Sequence, residues 1–561
     1  MIRQSPGPAS RGARRCAVAA LAGALLAGCF GGGDDTEEKK AEPTAAPQLS
    51  LADVHAAEAA DVDAGGTLRI GVSSFPATFN PVHTDGVAST APQILAPTLG
   101  SAVRVTEDGS WTLDRDYATS VEVTDQDPFT VRVELNEQAV WQGGTAITSA
   151  DMVSFVDAMQ DDDFAAAAAP AFDDIERVEP DGRFAYDVVF DGPNADWPAA
   201  VYPTLPKAYT KSAQTFNRAM TARAPSSNGP FRVASIERRT GTITLERNPR
   251  WWGAEPRLDS IVWRIGEPGV LAAAHRADEL EVAPLTPENR EALAGAELRA
   301  SLGSEWSHLT LNGGTGPLED ADVRRAVALA VDIDGIVAAT SKRYGTRTVA
   351  MDSVVLLPGQ AGHRETRRAR DLEQAERLLA KAGWRREGDG PARRKGRPLT
   401  LSLPVPDTMT GAIQRAELVA ENLAEVGVRV KVTKVPGRTF FERVVIPLDF
   451  DLTTFAWQAQ AFDLADTRQL FTPIDGPQNF TGKASGAMAK AFDAAIAETD
   501  DRRRAARIAK VDAVARAQAS IIPLAVIPSV LAVDPRVVNY GPTALADLDW
   551  TIVGYAEKGK G

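Results

Sequence analysis

Cysteine is almost absent: the chain has two in 561 residues, Cys16 and Cys29. Both lie in the first 29 positions, so the remainder has no thiol, no disulfide and no Cys metal ligand. Roughly 500 residues can bury ample core without cross-links. Histidine is nearly as scarce, and none of His55, His83, His275, His308 and His363 stands three to five residues from another His or a Cys. Local spacing therefore gives no metal site. Positive charge is also short, with 61 Lys and Arg against 75 Asp and Glu and a net charge of −14. This argues against nucleic acid, which needs a basic footprint, and against docking of the folded surface on an anionic membrane. After Cys29 no stretch is apolar for the ~18 residues a membrane helix needs. There is no Gly-x-Ser-x-Gly elbow and no phosphate-cradling loop ending in Gly-Lys-Ser or Gly-Lys-Thr. Paired acids such as Asp173-Asp174 and Asp500-Asp501 read as solvated loop or cap residues. A cell-surface hydrolase would have only such pairs behind it, so the chain reads as a non-enzyme without cofactor.

What is present begins at the N-terminus. Arg11, Arg14 and Arg15 precede an apolar run, Cys16 to Ala27, that ends in Leu26-Ala27-Gly28-Cys29. A basic start, a short apolar stretch and small residues at the cut form a secretory signal, here expected over residues 1–28. The Cys after Leu-Ala-Gly resembles the bacterial lipobox. Lipidation of Cys29 and cleavage before it would anchor the mature chain, since several acyl chains together hold stably. The Arg14-Arg15 pair leaves the export route open. Residues 1–28 hold four Arg and no acid, so their removal takes the charge from −14 to −18. Residues 29–65 are rich in Gly, Asp, Glu, Ala and Pro. Such a composition cannot bury enough apolar surface to offset ordering entropy, and a flexible tether with a reach of roughly 30 Å is expected.

Order is expected from Gly66. Gly66 to Val72 reads as a short strand, and Phe129 to Leu135 alternates apolar and polar residues as a half-buried strand does. Thr242 to Arg247 alternates too, and Ile261 to Ile265 is another strand. Val323, Val327 and Ala330 share a helical face behind Asp320 or Asp322 as N-cap. Leu372, Ala375, Leu378, Leu379 and Ala382 form a second stripe closed by Gly383. Leu418, Leu423 and Val426 form a third, stopped by Gly427 and followed by a strand over Val428 to Val432. Helix, Gly and strand in that order make an α/β unit. Residues 385–398 read as an exposed loop.

One segment resembles a known family. Asn228-Gly-Pro-Phe231 precedes Thr242-Ile-Thr-Leu-Glu-Arg-Asn-Pro249, then Trp251-Trp-Gly253, Pro256 and Leu258-Asp-Ser-Ile261. This is similar to the signature of family 5 solute-binding proteins, the dipeptide/oligopeptide group that serves ABC importers. Asn-Pro ends a strand by turning the chain, and the Trp pair offers a large amphipathic anchor. Trp141, Thr145 and Ser149-Ala-Asp-Met152 follow the family's order, as do Asp322-Val-Arg-Arg-Ala326 with Asp332-Ile-Asp334, Ala375 to Trp384, and Ile521-Ile-Pro-Leu524. The resemblance covers about residues 66–545. It implies an α/β fold of the periplasmic-binding-protein type (class II, cluster C), with two lobes closing on a cleft by hinge motion and an extra domain inserted in the first. Lobe I is expected at 66–105, 226–300 and 521–561, the inserted subdomain at 106–225 and lobe II at 301–520.

The resemblance also implies where ligand sits. In the family a second-lobe segment reading Trp-x-Ala-Asp-Tyr lines the cleft, and its Asp pairs with a peptide's ammonium. Here it reads Ala456-Trp457-Gln458-Ala459-Gln460-Ala461-Phe462-Asp463. Gln460 stands where the Asp would be and cannot supply the charge-assisted bond, unless Asp463 or Asp466 substitutes. Trp457, Gln458, Gln460 and Phe462 suggest an aromatic-plus-amide surface for a polar solute, while Trp457 also suits a core. The loop after the first strand adds His83 and Asp85, and the start of lobe II adds Trp306 within Glu305-Trp306-Ser307-His308. The implied partners are a small solute or peptide, ABC permease subunits and the membrane through the N-terminal lipid, with the chain acting as a monomer on the outer face of the cell membrane. A second reading comes from Phe79-Asn-Pro81, from Trp111 to Leu135 and from Trp141. These resemble non-transporting mycobacterial lipoproteins of the same fold, linked to phosphatidylinositol mannoside and lipoarabinomannan synthesis.

Overall fold

The computed structural model describes residues 49–557 apart from Ala88, Arg368 and Pro477. The expected signal segment, Cys29 and the first part of the expected tether lie outside the described residues. Among those described, no helix is long and apolar enough to cross a membrane.

A nine-stranded sheet organises the body. Its middle strand, Thr67–Val72, buries Leu68, Ile70 and Val72 and runs parallel to Ser260–Ile265 on one side and Val282–Pro284 on the other. A parallel strand is covered on both faces, so its run is nearly all apolar. Beyond Ser260–Ile265 come Thr242–Arg247 and Phe231–Glu237, both antiparallel. The turn after them is pinned by its Asn and Trp residues. Asn248 donates to the Gly229 carbonyl, Trp251 and Trp252 lie 4.7 Å apart, and Trp252 Nε1 donates to the Asp116 carbonyl.

On the other side of Val282–Pro284 lie two long strands, Ile521–Val533 and Leu298–Leu311, antiparallel to each other. They pair in two stretches, with a register shift between Leu302 and Trp306. At the break a Cβ on Gly303 would stand 2.3 Å from the Ile527 carbonyl oxygen, so only glycine allows the backbones to meet there. On one side of the break Val530 and Ala532 pack with Leu285 and Leu293. On the other, Leu309, Leu311, Ile522 and Leu524 join the core of Val323, Leu401 and Leu452. The strand pair thus belongs to both lobes. The expected boundary at 520/521 is corrected accordingly: the first half of Ile521–Val533 sits in the second-lobe core, because one strand spans both.

The second lobe contains a parallel pair, Thr400–Pro406 and Arg429–Val435, joined by the helix Thr410–Ala424. Gly427 ends that connection at φ +78°, a left-handed turn that favours glycine. The helix Ala321–Ala330 starts on Asp320, whose carboxylate accepts from the Asp322 N–H at 2.8 Å. Residues 385–398 are not wholly irregular: Arg393–Arg394 pairs with Arg397–Pro398.

Between residues 106 and 225 an antiparallel sheet forms in the spatial order Ala118–Gln126, Phe129–Leu135, Ala185–Phe190, Ile175–Pro180. The helix Ser149–Gln160 covers it and starts with a reciprocal Thr148–Asp151 cap. Its core residues, such as Phe129, Phe155 and Tyr186, are continuous with the first-lobe core of Ile70 and Trp263.

This subdomain meets the second lobe at an acidic seam. Asp196 accepts from the Ala465 N–H at 2.9 Å, at the start of the helix Leu464–Gln469, and the Ala195 N–H donates to the Ile496 carbonyl. Burial pushes Asp196 up to about 6 and Asp466 up to about 7, with Asp173 and Asp174 adding like charge nearby and Arg504 partly offsetting it. Burial also holds Asp463 well above the usual carboxylate range.

The expected tether is shorter than residues 29–65. Leu51 and Val62 are buried, the Ala300 N–H donates to the Asp53 carboxylate, and Arg299 donates to the carbonyls of Val537 and Tyr540 and to His55 Nδ1. Two isolated apolar side chains spaced along a polar stretch leave no periodic signal, yet each finds a pocket on the long strand pair and the C-terminal segment.

Two outcomes test these contacts. A Cβ on Gly541 would stand 1.8 Å from the Asp53 carbonyl oxygen. Gly541→Ala should release the strap, so that thermolysin cuts near Leu51 and Val54 about tenfold faster while the rest stays resistant. At the seam, carboxylates raised in the folded state give stability that is complete below about pH 4 and lost as pH rises through about 6 to 7. Asp466→Asn should therefore raise Tm by roughly 1–3 °C at pH 8 and leave it unchanged at pH 4, read by differential scanning calorimetry.

Candidate functional site

The strand Ala456–Gln458 lies antiparallel to Glu305, Trp306 and Ser307, with Trp457 opposite Trp306 and Gln458 opposite Glu305. Side chains alternate across a strand, so the two Trp share one face while Glu305, Gln458, Ser307 and Ala456 share the other. The Trp face is core. Trp306 is 3% exposed and packs with Leu302 and Val526. Trp457 stacks on Phe480 at 6.0 Å and on His308 at 5.7 Å, with Phe455 edge-on at 5.1 Å. His308 is fully buried, and burial together with the Arg415 charge holds its pKa well below the usual imidazole range. It is neutral.

The other expected residues disperse. Gln458 and Gln460 are exposed, and the Gln460 N–H donates to the Asp463 carboxylate at 3.1 Å. Phe462 packs on the first-lobe and subdomain core, and with Asp196, Asp463 and Trp111 it lines a seam cavity of about 170 Å³. Asp463 and Asp466 thus belong to the seam. His83 lies against Phe216 at 6.4 Å, bridges Ala166 and accepts the Asp85 N–H on Nδ1. The Asp85 side chain is 70% exposed. The loop carrying both turns toward the subdomain, and Trp306 faces the core, so none of the three stands with Gln458.

The opposite face of the strand opens on a cavity of about 380 Å³. Glu305, Phe455 and Ala456 form its sheet wall, Tyr344 and Arg415 line it from two helices, and Glu288 reaches it from the first-lobe segment. None of the eight expected ligand residues lines it, but Glu305 and Ala456, each one position before an expected Trp, do. Two contacts tie the lobes at its edge: Arg343 pairs with Glu288 at 3.0 Å, and Arg290 donates to the Lys342 carbonyl at 2.7 Å. Arg343 also donates to Thr410 Oγ1.

Arg415 is held from within. Its Nε donates to Thr454 Oγ1 at 2.6 Å, Nη2 reaches the Phe455 carbonyl at 3.4 Å, and Thr454 Oγ1 in turn donates to the His308 carbonyl at 2.6 Å. Burial lowers the Arg415 guanidinium to about 10 and raises the Glu305 carboxylate. Sequence reading missed Arg415 because an Arg flanking the apolar stripe of Ala412, Ala416 and Val419 resembles a solvated helix face. Among the described residues no group of three His, Cys, Asp or Glu could hold a metal. The cavity offers apolar walls with two acids, Glu288 and Glu305, and two guanidiniums, Arg343 and Arg415, of which Glu288 and Arg343 pair with each other.

The chain resembles several known proteins. It is 32% identical to the oligopeptide-binding protein OppA of Mycobacterium tuberculosis, over 95% of this chain and 92% of that one. It is 27% identical to a probable monoacyl phosphatidylinositol tetramannoside-binding protein, LpqW, of the same species, over 48% of this chain and 45% of that one. The fold matches the periplasmic EDTA-binding protein EppA with a TM-score of 0.80 at 24% identity, covering 91% of this chain and 99% of that one. The model of the bacterial extracellular solute-binding proteins, family 5, matches residues 112–478. The chain belongs to that family.

Proposed function

We propose that this chain is a lipid-anchored receptor on the outer face of the cell membrane that binds a peptide or another polar solute and delivers it to an ABC permease. The observation that carries the binding role is the cavity of about 380 Å³ between Glu288 of the first lobe and the Tyr344, Arg415 and Glu305 walls of the second. Solute sites are concave, largely apolar and furnished with a few convergent polar groups. The cavity has that composition, and its bounding contacts join two bodies that share one strand pair, as a closing cleft requires. OppA, the relative matched over nearly the whole chain, is named for oligopeptide binding, which supports a peptide. Anchoring rests on Leu26-Ala27-Gly28-Cys29, and a monomer suffices because both walls come from one chain.

A second reading is favoured by Gln460, which replaces the acid the family uses for an ammonium, and by the partial likeness to LpqW. In it the same fold holds an envelope glycolipid and serves cell-envelope synthesis. A cavity near the lower end of the ~300–1,000 Å³ range of small-molecule sites fits a short peptide better than a tetramannoside head group.

Native mass spectrometry of protein purified from its own host separates the two. A co-purified peptide of a few residues is the expected outcome, and a bound glycolipid would move the assignment to the envelope reading. Cys29→Ser should shift the protein from the membrane fraction to the culture fluid, read by immunoblot. Retention in the membrane fraction would refute the anchor.

A further inference from the structure

Away from the cavity, arginines such as Arg132, Arg247 and Arg264 each hold a carboxylate, as an acidic chain allows. One region of the second lobe departs from that pattern. The Arg385 N–H donates to the Arg393 carbonyl, Arg393–Arg394 pairs with Arg397–Pro398, and the Arg429 N–H donates to the Leu399 carbonyl at 3.0 Å. These hydrogen bonds bring Arg385, Arg393, Arg394, Lys395, Arg397 and Arg429 together. All six are exposed, and among the described residues none of them forms an ion pair. Arg386 of the same loop is matched by Glu376. The loop's remaining acids are Glu387 and Asp389, so six free cations stand against two carboxylates.

The backbone holds this charge outward. Residues directly opposite on paired strands share a face, so Arg385 and Arg393 lie on one side of the hairpin and Arg394 and Arg397 on the other. The Arg394 guanidinium lies 4.6 Å from the centre of the Trp384 ring, which belongs to the second-lobe core. At the tip Lys395 and Gly396 have φ +51° and +77°, a type I′ turn. That turn favours Asn, Asp or Gly at its first position, and Lys is strained there. The tip thus keeps a charge at a cost to its backbone. Residues 393–397 carry no aromatic or aliphatic side chain. Positive charge on both sides of a hairpin without an apolar anchor fits a diffuse anionic layer better than the one-sided surface of a folded partner. The net charge of −14 opposes such a contact only at long range. Charges beyond about 8 Å are screened at physiological ionic strength, so at contact the hairpin counts and the distant acids do not. On the proposed anchor, residues 29–48 span at most about 70 Å, which keeps the body beside the phospholipid headgroups.

We propose that the hairpin Arg393–Pro398, with Arg385 and Arg429, docks on anionic phospholipid headgroups, so that the second lobe rests on the membrane that the N-terminal lipid holds. This rests on the anchor of the proposed function.

Vesicle flotation tests it with the mature chain from residue 29 carrying Cys29→Ser, so that no acyl chain contributes. The vesicles are phosphatidylglycerol and phosphatidylcholine in equal parts, or phosphatidylcholine alone. The parent is compared with a variant combining Arg393→Gln, Lys395→Gln, Arg397→Gln and Arg429→Gln, whose melting should match the parent because the four side chains are exposed and unpaired. The expected result is that the parent floats with the anionic vesicles only, that 1 M salt releases it, and that the variant binds at least tenfold more weakly. Equal flotation with both vesicles, no flotation, or undiminished binding by the variant would overturn the docking surface. No flotation of the parent, with solute uptake impaired in cells carrying the variant, would assign the hairpin to an acidic protein instead. The anchor is judged separately: in membranes washed with 1 M salt, retention of Cys29→Ser reads the anchor alone.

Discussion

Everything in this molecule depends on the pairing of Leu298–Leu311 with Ile521–Val533. The two strands are long enough to enter both cores, and the register shift between Leu302 and Trp306 divides them into two ladders. A strand pair resists stretching along its hydrogen bonds but twists where the ladder is broken. The break falls between the part of the pair that packs in the first lobe and the part that packs in the second. The buried N-terminal strap is stitched to the same place: the Leu302 N–H donates to the Ser50 carbonyl and the Ala300 N–H to Asp53.

The same strand pair explains what could and could not be read from the sequence. Elements with a strong period were legible. Phe129–Leu135 alternates as its residues suggest, and the helix ending near Gly427 and the Asp320 cap fall where expected. The fold followed from motifs such as Asn248-Pro249 with Trp251-Trp252, whose turn is fixed by local hydrogen bonds. The cavity wall was partly legible. Sequence reading singled out both strands of the sheet wall, with Trp306 and Trp457 on the packed face and Gln458 on the face shared with Glu305. The period of a strand is two, so a displacement of one residue exchanges core for cavity. Trp457 and Trp306 drew attention because aromatic side chains suit both places. Only the pairing of Trp306 with Trp457, and of His308, Phe455 and Phe480 around them, shows which face is filled. Arg415 had no sequence signal at all, since its neighbours in space come from Thr454, Tyr344 and Arg343.

Two sets of unmatched charge occupy this structure, and they differ in what compensates them. The seam carboxylates Asp196, Asp463 and Asp466 face one another across an interface, with Arg504 as the nearby cation. A carboxylate relieves such a conflict by taking up a proton, which a shift toward neutrality permits. Arg415 has no equivalent escape. Even lowered to about 10, its guanidinium stays charged at neutral pH and is held by Thr454 and the Phe455 carbonyl.

That difference separates the structural contact from the binding one. Protonation can satisfy a seam of carboxylates, whereas the cavity wall carries a cation that keeps its charge at neutral pH. The lobes meet at its rim through Arg343 with Glu288 and Arg290 with the Lys342 carbonyl, contacts that are already paired and gain little from a ligand. A ligand shifts a two-state closure only by its differential affinity for the two states. The rim pairs join the lobes at the cavity edge, and a solute can act on closure only through groups it meets behind them.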